Sequence, residues 1–440
     1  MKDMHYDLIV IGGGTAGALC AIAAARNGAR TAVIERNCVL GGMATSAGLT
    51  EMNAASFRGE SLYHGIEKEL FDELISEGHA EYHLSVPMSS DDRIRVDRLR
   101  YDPEILKLLL EKKAVDAGVE LLYGCELDAA SEQSNRCEVR IRTGHGQFTL
   151  SASLLADATG NAELVQMLGA STIKTASEDQ LVSTLMFRLS RIDLPVLRSF
   201  LASGSLNDII DKGLKKGILH GRLLAFTPIP GSDDVSLNVT RAKGDYEDAF
   251  AFSHALIDAR SQILPILGFV RTNVPGVQNA YISNISNHMG IRDGRRIESV
   301  YELKFDDLNR MKVFEDSIAC GCYPMDFHDP VTNTVIWKML PGVYHIPFRS
   351  LIPRHLERTV AVGKCLGAEK QAFSAIRVMP IMMNVGESAG CILANLAKNS
   401  SRPKDISAKC IQTFLTAHYD NENYAEKNSV LGKNVQGGTV

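Results

Sequence analysis

"DLIVIGGGTAGALCAIAAA", residues 7–25, carries one charge, Asp7, followed by 18 uncharged residues from Leu8 to Ala25. A membrane-spanning helix needs about 20 predominantly apolar residues, so the run is long enough to raise that reading. Gly12, Gly13, Gly14 and Gly17 speak against it. Each glycine costs about 1 kcal/mol relative to alanine inside a helix, and three in succession break one. The alternative is a buried strand at 6–11, a glycine turn, a helix at 15–27 and a second strand at 30–35. Strand, crossover helix and strand in about 30 residues form a βαβ unit with parallel strands.

The turn spells Gly12-x-Gly14-x-x-Gly17 around Thr15 and Ala16. The first glycine permits the tight turn, the second lets backbone approach a pyrophosphate, and the third lets helix pack on strand. The helix N-terminus then offers N–H groups and a positive dipole end to phosphate. Glu35 closes the second strand, where an acidic side chain suits the ribose hydroxyls of an adenosine. A solvated glutamate at a strand end is the plainer reading of that residue alone. Glycine turns between strands and helices are common, and it is the combination that points to a dinucleotide.

Beyond Glu35 lies "ERNCVLGGMATSAGL", residues 35–49, with Gly41, Gly42, Met43, Ala44, Thr45 and Ser46. Small residues there let backbone approach the second half of a dinucleotide, although a glycine-rich surface turn would look the same.

Composition bounds the rest. The chain has 440 residues, 45% hydrophobic and 22% charged, ordinary values for two or three globular domains. A net charge of −5 gives no electrostatic reason to expect nucleic acid or an anionic membrane. Nine cysteines without a C-x-x-C pair argue against a zinc ribbon or a redox dithiol. With no second long apolar run and no signal-peptide pattern, the expectation is a soluble, cytoplasmic protein without a membrane span.

Further along, helices are expected at 61–77 and at 103–117, the latter capped by Asp102 with Pro103 at its first position. Residues 125–155 alternate around "TGHGQ" as a β-hairpin, and "LLADATG" returns as a strand ending in a glycine turn. From about 180 to 345 strands such as "STLMFRL" alternate with helical runs, an α+β pattern. "TVAVGK" (359–364) and "VGESAGCILANLA" (385–397) read again as strand, glycine turn and small-residue helix.

"IGGGTAG", "ER" and "LGGMATSAG" together resemble the FAD-dependent oxidoreductases built on the glutathione-reductase-type FAD fold. "DATGNAELVQMLGA" (157–170), "GIRDGRRIESVYELKFDDL" (290–308), "YPMDFHDP", "IPFRSLIP" and the block 356–397 resemble successive segments of that family. The resemblance implies an α/β fold: a Rossmann-like FAD-binding domain, its parallel sheet carrying a crossover β-hairpin, plus an α+β substrate domain. The implied division is an FAD-binding part at 1–175, a substrate or cap domain at 176–345, a return segment at 346–400, and a C-terminal helix and polar tail at 401–440. It also implies non-covalent FAD, with Gly12, Gly14, Thr15, Ala16 and Gly17 at the pyrophosphate, Glu35 at the ribose and Arg36 near the adenine. Gly41, Gly42, Met43, Ala44 and Thr45 fall toward the flavin half, Thr159 and Gly160 beside the cofactor, and Gly363 near the pyrophosphate. Gly386 is expected to open a helix whose dipole faces the flavin. Asn161 and Lys364 depart from the usual family residues. No second strand–GxGxxG–helix unit is evident, so electrons are expected to pass through the substrate, oxygen or a diffusible carrier.

For catalysis, "GCYPMDFHDP" at 321–330 concentrates Tyr323, Asp326, His328 and Asp329. A flavin dehydrogenase needs a proton-transfer group, and in an extended segment Asp326 and His328 share a face. A histidine that merely holds a loop is an equal alternative. Arg292, Arg295, Arg296, Arg349 and Arg377 could clamp a carboxylate, although such residues more often pair with acidic neighbours. Arg377, between the late glycines, is the one expected to touch flavin or substrate. His345 reads as a satisfied core histidine. The function expected is hydride transfer between a small organic substrate and FAD. An electron-transfer subunit of a larger complex and an FAD monooxygenase stay open, as does a homo-oligomer.

Overall fold

The computed structural model describes residues 5–54, 56–57, 60–88, 91–329, 331–332 and 334–419. The polar tail expected at the C-terminus lies outside these residues from 420 onward.

Strand His5–Ile11 is the middle of a parallel layer. It pairs with Thr31–Glu35 on one side and with the C-terminal half of Gly146–Asp157 on the other. Glu120–Tyr123 extends the layer beyond Thr31–Glu35, and Thr359–Ala361 adds to Leu155–Asp157, all parallel. The run Leu8–Ile11 is apolar throughout because both faces are covered. Leu8 and Val10 enter the large core, whereas Ile9 and Ile11 enter a smaller one on the opposite face. Val33 and Ile34 divide in the same way.

Strand Gly146–Asp157 serves two sheets at once. Its first half pairs antiparallel with Cys137–Thr143, which pairs in turn with Glu126–Glu132. The hairpin expected around "TGHGQ" is this crossover meander, turning at Gly144 and His145. Helix Pro103–Asp116 begins as expected, with the Asp102 carboxylate accepting the Glu104 N–H at 2.9 Å. The helix expected at 61–77 is shorter, Gly65–Ser76.

A second core draws on residues 185–289 alone. It lies on an antiparallel sheet ordered Ala225–Pro228, Val235–Asn238, Phe187–Ser190 and Tyr281–Ile285. Helices Ala249–Ser261 and Ile263–Asn273 contribute to this core. Residues 305–346 do not belong to it: Phe305, Leu308, Tyr323, Tyr344 and Ile346 sit in the large core beside the glycine-motif helix. These side chains, inside the span expected for the cap at 176–345, pack with the first layer and not with the second core.

The small-residue helix expected at 385–397 forms, but it begins earlier. One 20-residue helix, Met379–Lys398, runs through these residues, with Pro380 near its start. It crosses helix Thr15–Arg26 at very short range. A Cβ placed on Gly386 would lie 2.1 Å from the Ala16 carbonyl oxygen, and one on Gly390 the same distance from that of Cys20. These glycines are there to let two backbones touch. Among the described residues no helix is long and apolar enough to cross a membrane.

Candidate functional site

The glycine turn forms a floor with two sides. Gly12 (φ +100°) sits so close to the Ala158 carbonyl that a Cβ would approach it to 2.5 Å, and at Gly17 a Cβ would meet the Gly12 carbonyl at 2.0 Å. A Cβ on Gly14 would meet nothing within 4 Å. Gly14 is also the N-cap of helix Thr15–Arg26 and offers no side-chain cap. The first N–H groups of a helix have no partner within it, so they point into that open space.

Gly12, Gly14 and Thr15 keep partial exposure, while Ala16 and Gly17 are buried behind them. Gly41 hydrogen-bonds to the Gly13 carbonyl at 2.8 Å, which brings the second small-residue loop over the first. Gly42 and Met43 face outward there. Ala44 and Thr45 face inward, and the Thr45 hydroxyl is taken up by the Leu40 carbonyl at 2.6 Å.

Glu35 is buried, its carboxylate accepting the Gly13 N–H at 2.7 Å and both nitrogens of Asn37. Arg36 is exposed and 3.8 Å from Glu163. Asp157 builds the next turn: it accepts the Thr159 hydroxyl at 2.7 Å and the Val165 N–H at 3.0 Å. Burial pushes its carboxyl up, opposed by these donors. Gly160 (φ +74°) and Lys364 close that side, and a Cβ on Gly363 would stand 3.1 Å from the Ala16 methyl. Lys364 donates to the Asp293 carbonyl at 3.0 Å, and burial lowers its pKa to about 8.

Gly386 corrects the expectation placed on it. It lies in the interior of Met379–Lys398, eight positions after the N-cap Val378, so it opens no helix. What precedes the helix is Arg377, the C-cap of the short helix Lys370–Ile376.

Arg377 enters a buried cluster. Its Nη2 donates to Asp326 Oδ2 at 3.1 Å, the Tyr323 hydroxyl lies 3.3 Å from the same oxygen, and His328 Nε2 lies 3.0 Å from Asp326 Oδ1. Strand Met325–His328 puts Asp326 and His328 on one face, as alternation requires, and both are buried. Burial, then the Arg292 charge, pushes the His328 imidazole down to about 3. Burial works against ionisation of Asp326, but the contacts with His328, Arg377 and Arg292 outweigh it and hold the carboxyl well below its usual range. The pair is thus a neutral imidazole beside a carboxylate at pH 7.

Residues 292–296 connect this cluster to the glycine floor. The Arg292 charge helps to lower Asp326, and two residues later a Cβ on Gly294 would stand 2.9 Å from Asn161 Oδ1 and 3.4 Å from the Gly160 carbonyl. The cap core also touches the small-residue loop, where Ser236 Oγ donates to the Gly48 carbonyl at 2.6 Å.

The profile of the FAD dependent oxidoreductase family matches residues 7–415, nearly the whole chain. The chain belongs to the FAD dependent oxidoreductase family. Its cofactor is FAD, and the floor fits one: an uncapped helix N-terminus beneath the open position at Gly14, walled by glycines that admit no side chain. Solved structures similar to this chain match it at low identity. BexE, studied for oxidation during BE-7585A biosynthesis, is 15% identical over 98% of this chain and 69% of its own, with a TM-score of 0.49. The flavin-dependent brominase Bmp2 is 12% identical over 95% and 83%, with a TM-score of 0.49. A geranylgeranyl bacteriochlorophyll reductase-like protein from Thermoplasma acidophilum is 11% identical over 99% and 89%, with a TM-score of 0.47. No curated protein matches the sequence.

Within this family member, the other arginines singled out in the sequence have acids of their own. Arg295 pairs with Glu247 at 2.5 Å, Arg296 lies 3.6 Å from Asp293, and Arg349 is held by Asp316 at 3.0 Å. Arg241 and Thr184, which meet Arg292 at the Thr184 hydroxyl, were not legible beforehand. They come from segments far from "YPMDFHDP" in sequence, and no spacing links them. His345 is a core residue, as expected, yet neither ring nitrogen has a hydrogen-bond partner among the described residues.

Proposed function

We propose that this family member is a cytoplasmic enzyme that transfers hydride between a small organic molecule and non-covalently held FAD, with His328 as the proton-transfer group. The observation that carries the proposal is the buried Asp326–His328–Arg377 cluster, joined to the glycine floor by residues 292–296. On this reading the floor residues Gly12, Gly14 and Thr15 receive the pyrophosphate, backed by Ala16, Gly17 and Gly363. Glu35 serves the adenosine ribose, with Arg36 at the rim. The backbone of Gly41–Thr45 and the Thr159–Gly160 turn border the flavin half. Gly386 acts at second hand, by seating the long helix on Ala16.

FAD, when bound, accepts or donates the hydride. The chain's own residues manage the proton. A neutral imidazole can take one, and an ionised carboxylate 3.0 Å away stabilises the cation that results. With Nε2 turned to Asp326, Nδ1 is the atom that exchanges a proton with substrate. Arg377 and Tyr323 hold Asp326 in place by charge-assisted hydrogen bonds.

The test has two parts. Purified protein should carry flavin absorbance near about 450 nm that heat releases intact; protein that binds no FAD overturns the proposal. Anaerobic bleaching by small alcohols, acids and amines then identifies a hydride donor. His328→Ala should keep FAD yet bleach roughly 10²–10⁴-fold more slowly. Bleaching at the native rate would remove His328 from the mechanism.

A further inference from the structure

Two buried guanidinium groups, those of Arg292 and Arg241, meet at one threonine hydroxyl. Arg292 Nη1 donates to the Val182 carbonyl at 2.6 Å and to Thr184 Oγ1 at 3.0 Å, and Arg241 Nη1 lies 3.3 Å from the same hydroxyl oxygen. These partners are neutral. Arg377 takes Asp326, and its own Nε is buried without a partner among the described residues. Asp326 is the acid whose charge both Arg241 and Arg292 feel. Burial and the neighbouring Arg241 and Arg377 charges lower Arg292 to about 9, and burial lowers Arg241 to about 10, so all three stay cationic at neutral pH.

Buried cations without counter-charge cost several kcal/mol each, and elsewhere in this chain arginines of the same region are matched by Glu247, Asp293 and Asp316. Among the described residues the side-chain hydrogen-bond partners of Arg241 and Arg292 are all neutral. A surface cleft of about 470 Å³ adjoins Arg241 and is lined also by Lys243, His220 and His254, with Asp258 its one acid. It gives an anion a favourable approach to the cap side of the cluster.

We propose that the substrate carries a carboxylate, which Arg241 and Arg292 bind while Arg377 holds Asp326 against His328. The inference rests on the reading of the His328 cluster as the reacting end of the site. A planar guanidinium recognises a carboxylate through two parallel N–H donors, which matches an arginine whose present partners are single oxygens. The other source of negative charge is the flavin itself, and the experiment separates the two.

FAD-loaded protein is titrated with benzoate and succinate, and with benzamide and succinamide as neutral counterparts, following flavin absorbance and thermal unfolding. The carboxylates should bind saturably and raise Tm, and the amides should not. Arg292→Met and Arg241→Met should each weaken carboxylate binding roughly tenfold or more, the worth of a charged hydrogen bond, with FAD affinity unchanged. Amides that bind as well as carboxylates, no binding by either class, or native carboxylate affinity in both variants would overturn the proposal. Variants that lose FAD while still binding carboxylate would assign the guanidiniums to the cofactor instead, and so overturn it too. The unfolding readout is independent of turnover: His328→Ala with native bleaching would sink the proton-transfer role and leave the carboxylate site standing.

Discussion

At the scale of single residues, burial decides protonation here, and it does so in opposite directions. His328 is kept neutral by burial and by Arg292, whereas Glu67 is kept protonated. Glu67 is fully buried, neither carboxylate oxygen has a hydrogen-bond partner among the described residues, and burial and the Glu387 charge raise its pKa well above the ordinary value. A raised folded-state pKa means stability that is present below about pH 4.5 and is lost as pH rises, because the unfolded chain sheds the proton first. Glu67→Gln should therefore gain on the native protein as pH increases, by more than about 1 kcal/mol at pH 9 relative to pH 4. Thermal unfolding of both proteins at the two pH values checks this; a constant gap would show that Glu67 does not titrate in that window. His345 has the opposite linkage. Burial lowers it to about 4, so its contribution fades as pH falls from about 6.5 through 4.

At the scale of elements, the two helices at the floor are joined by absent side chains. Gly386 and Gly390, four apart, lie on one face of Met379–Lys398 and meet the Ala16 and Cys20 carbonyls of Thr15–Arg26. Gly386→Ala keeps helix propensity, which on its own favours alanine by about 1 kcal/mol. The clash with backbone wins, since backbone cannot rotate away as a side chain can, and overpacking typically costs about 1–3 kcal/mol. The expected outcome is a lower Tm and weaker FAD binding, because Ala16 is part of the glycine motif. An unchanged Tm and FAD affinity would show that the helices separate freely. From the sequence "VGESAG" is expected to start a helix at Gly386, because glycine before a small-residue run resembles the true motif at 12–17. What distinguishes them is φ: Gly12 has +100°, whereas Gly386 has an ordinary helical backbone.

At the scale of the whole molecule, the segments proposed to hold FAD come from residues 12–45, 157–164 and 363–377, spread over most of the chain. A ligand that binds only when they are assembled stabilises the assembly by mass action, about 2.7 kcal/mol at a free concentration 100-fold above Kd. Apoprotein titrated with FAD should show Tm rising with the logarithm of FAD concentration once saturated. A Tm indifferent to FAD would mean that the glycine floor holds without the rest.

Much of this organisation was legible from local pattern. The βαβ unit, the Asp102 cap, the hairpin at 125–155 and the shared face of Asp326 and His328 each follow from periodicity or backbone chemistry within a few residues. The chain by itself thus determined the parallel layer, the glycine floor and, through the family resemblance, the cofactor. Tertiary structure decided the rest: that the second core ends near 291, that Gly386 lies inside its helix as a contact, and that Arg241 and Arg292 meet at Thr184 while Arg377 takes Asp326. The physical reason is range. A turn or a cap is settled by neighbours in sequence, whereas a buried charge is balanced by whatever the fold brings within a few ångströms, and no spacing in the chain encodes that.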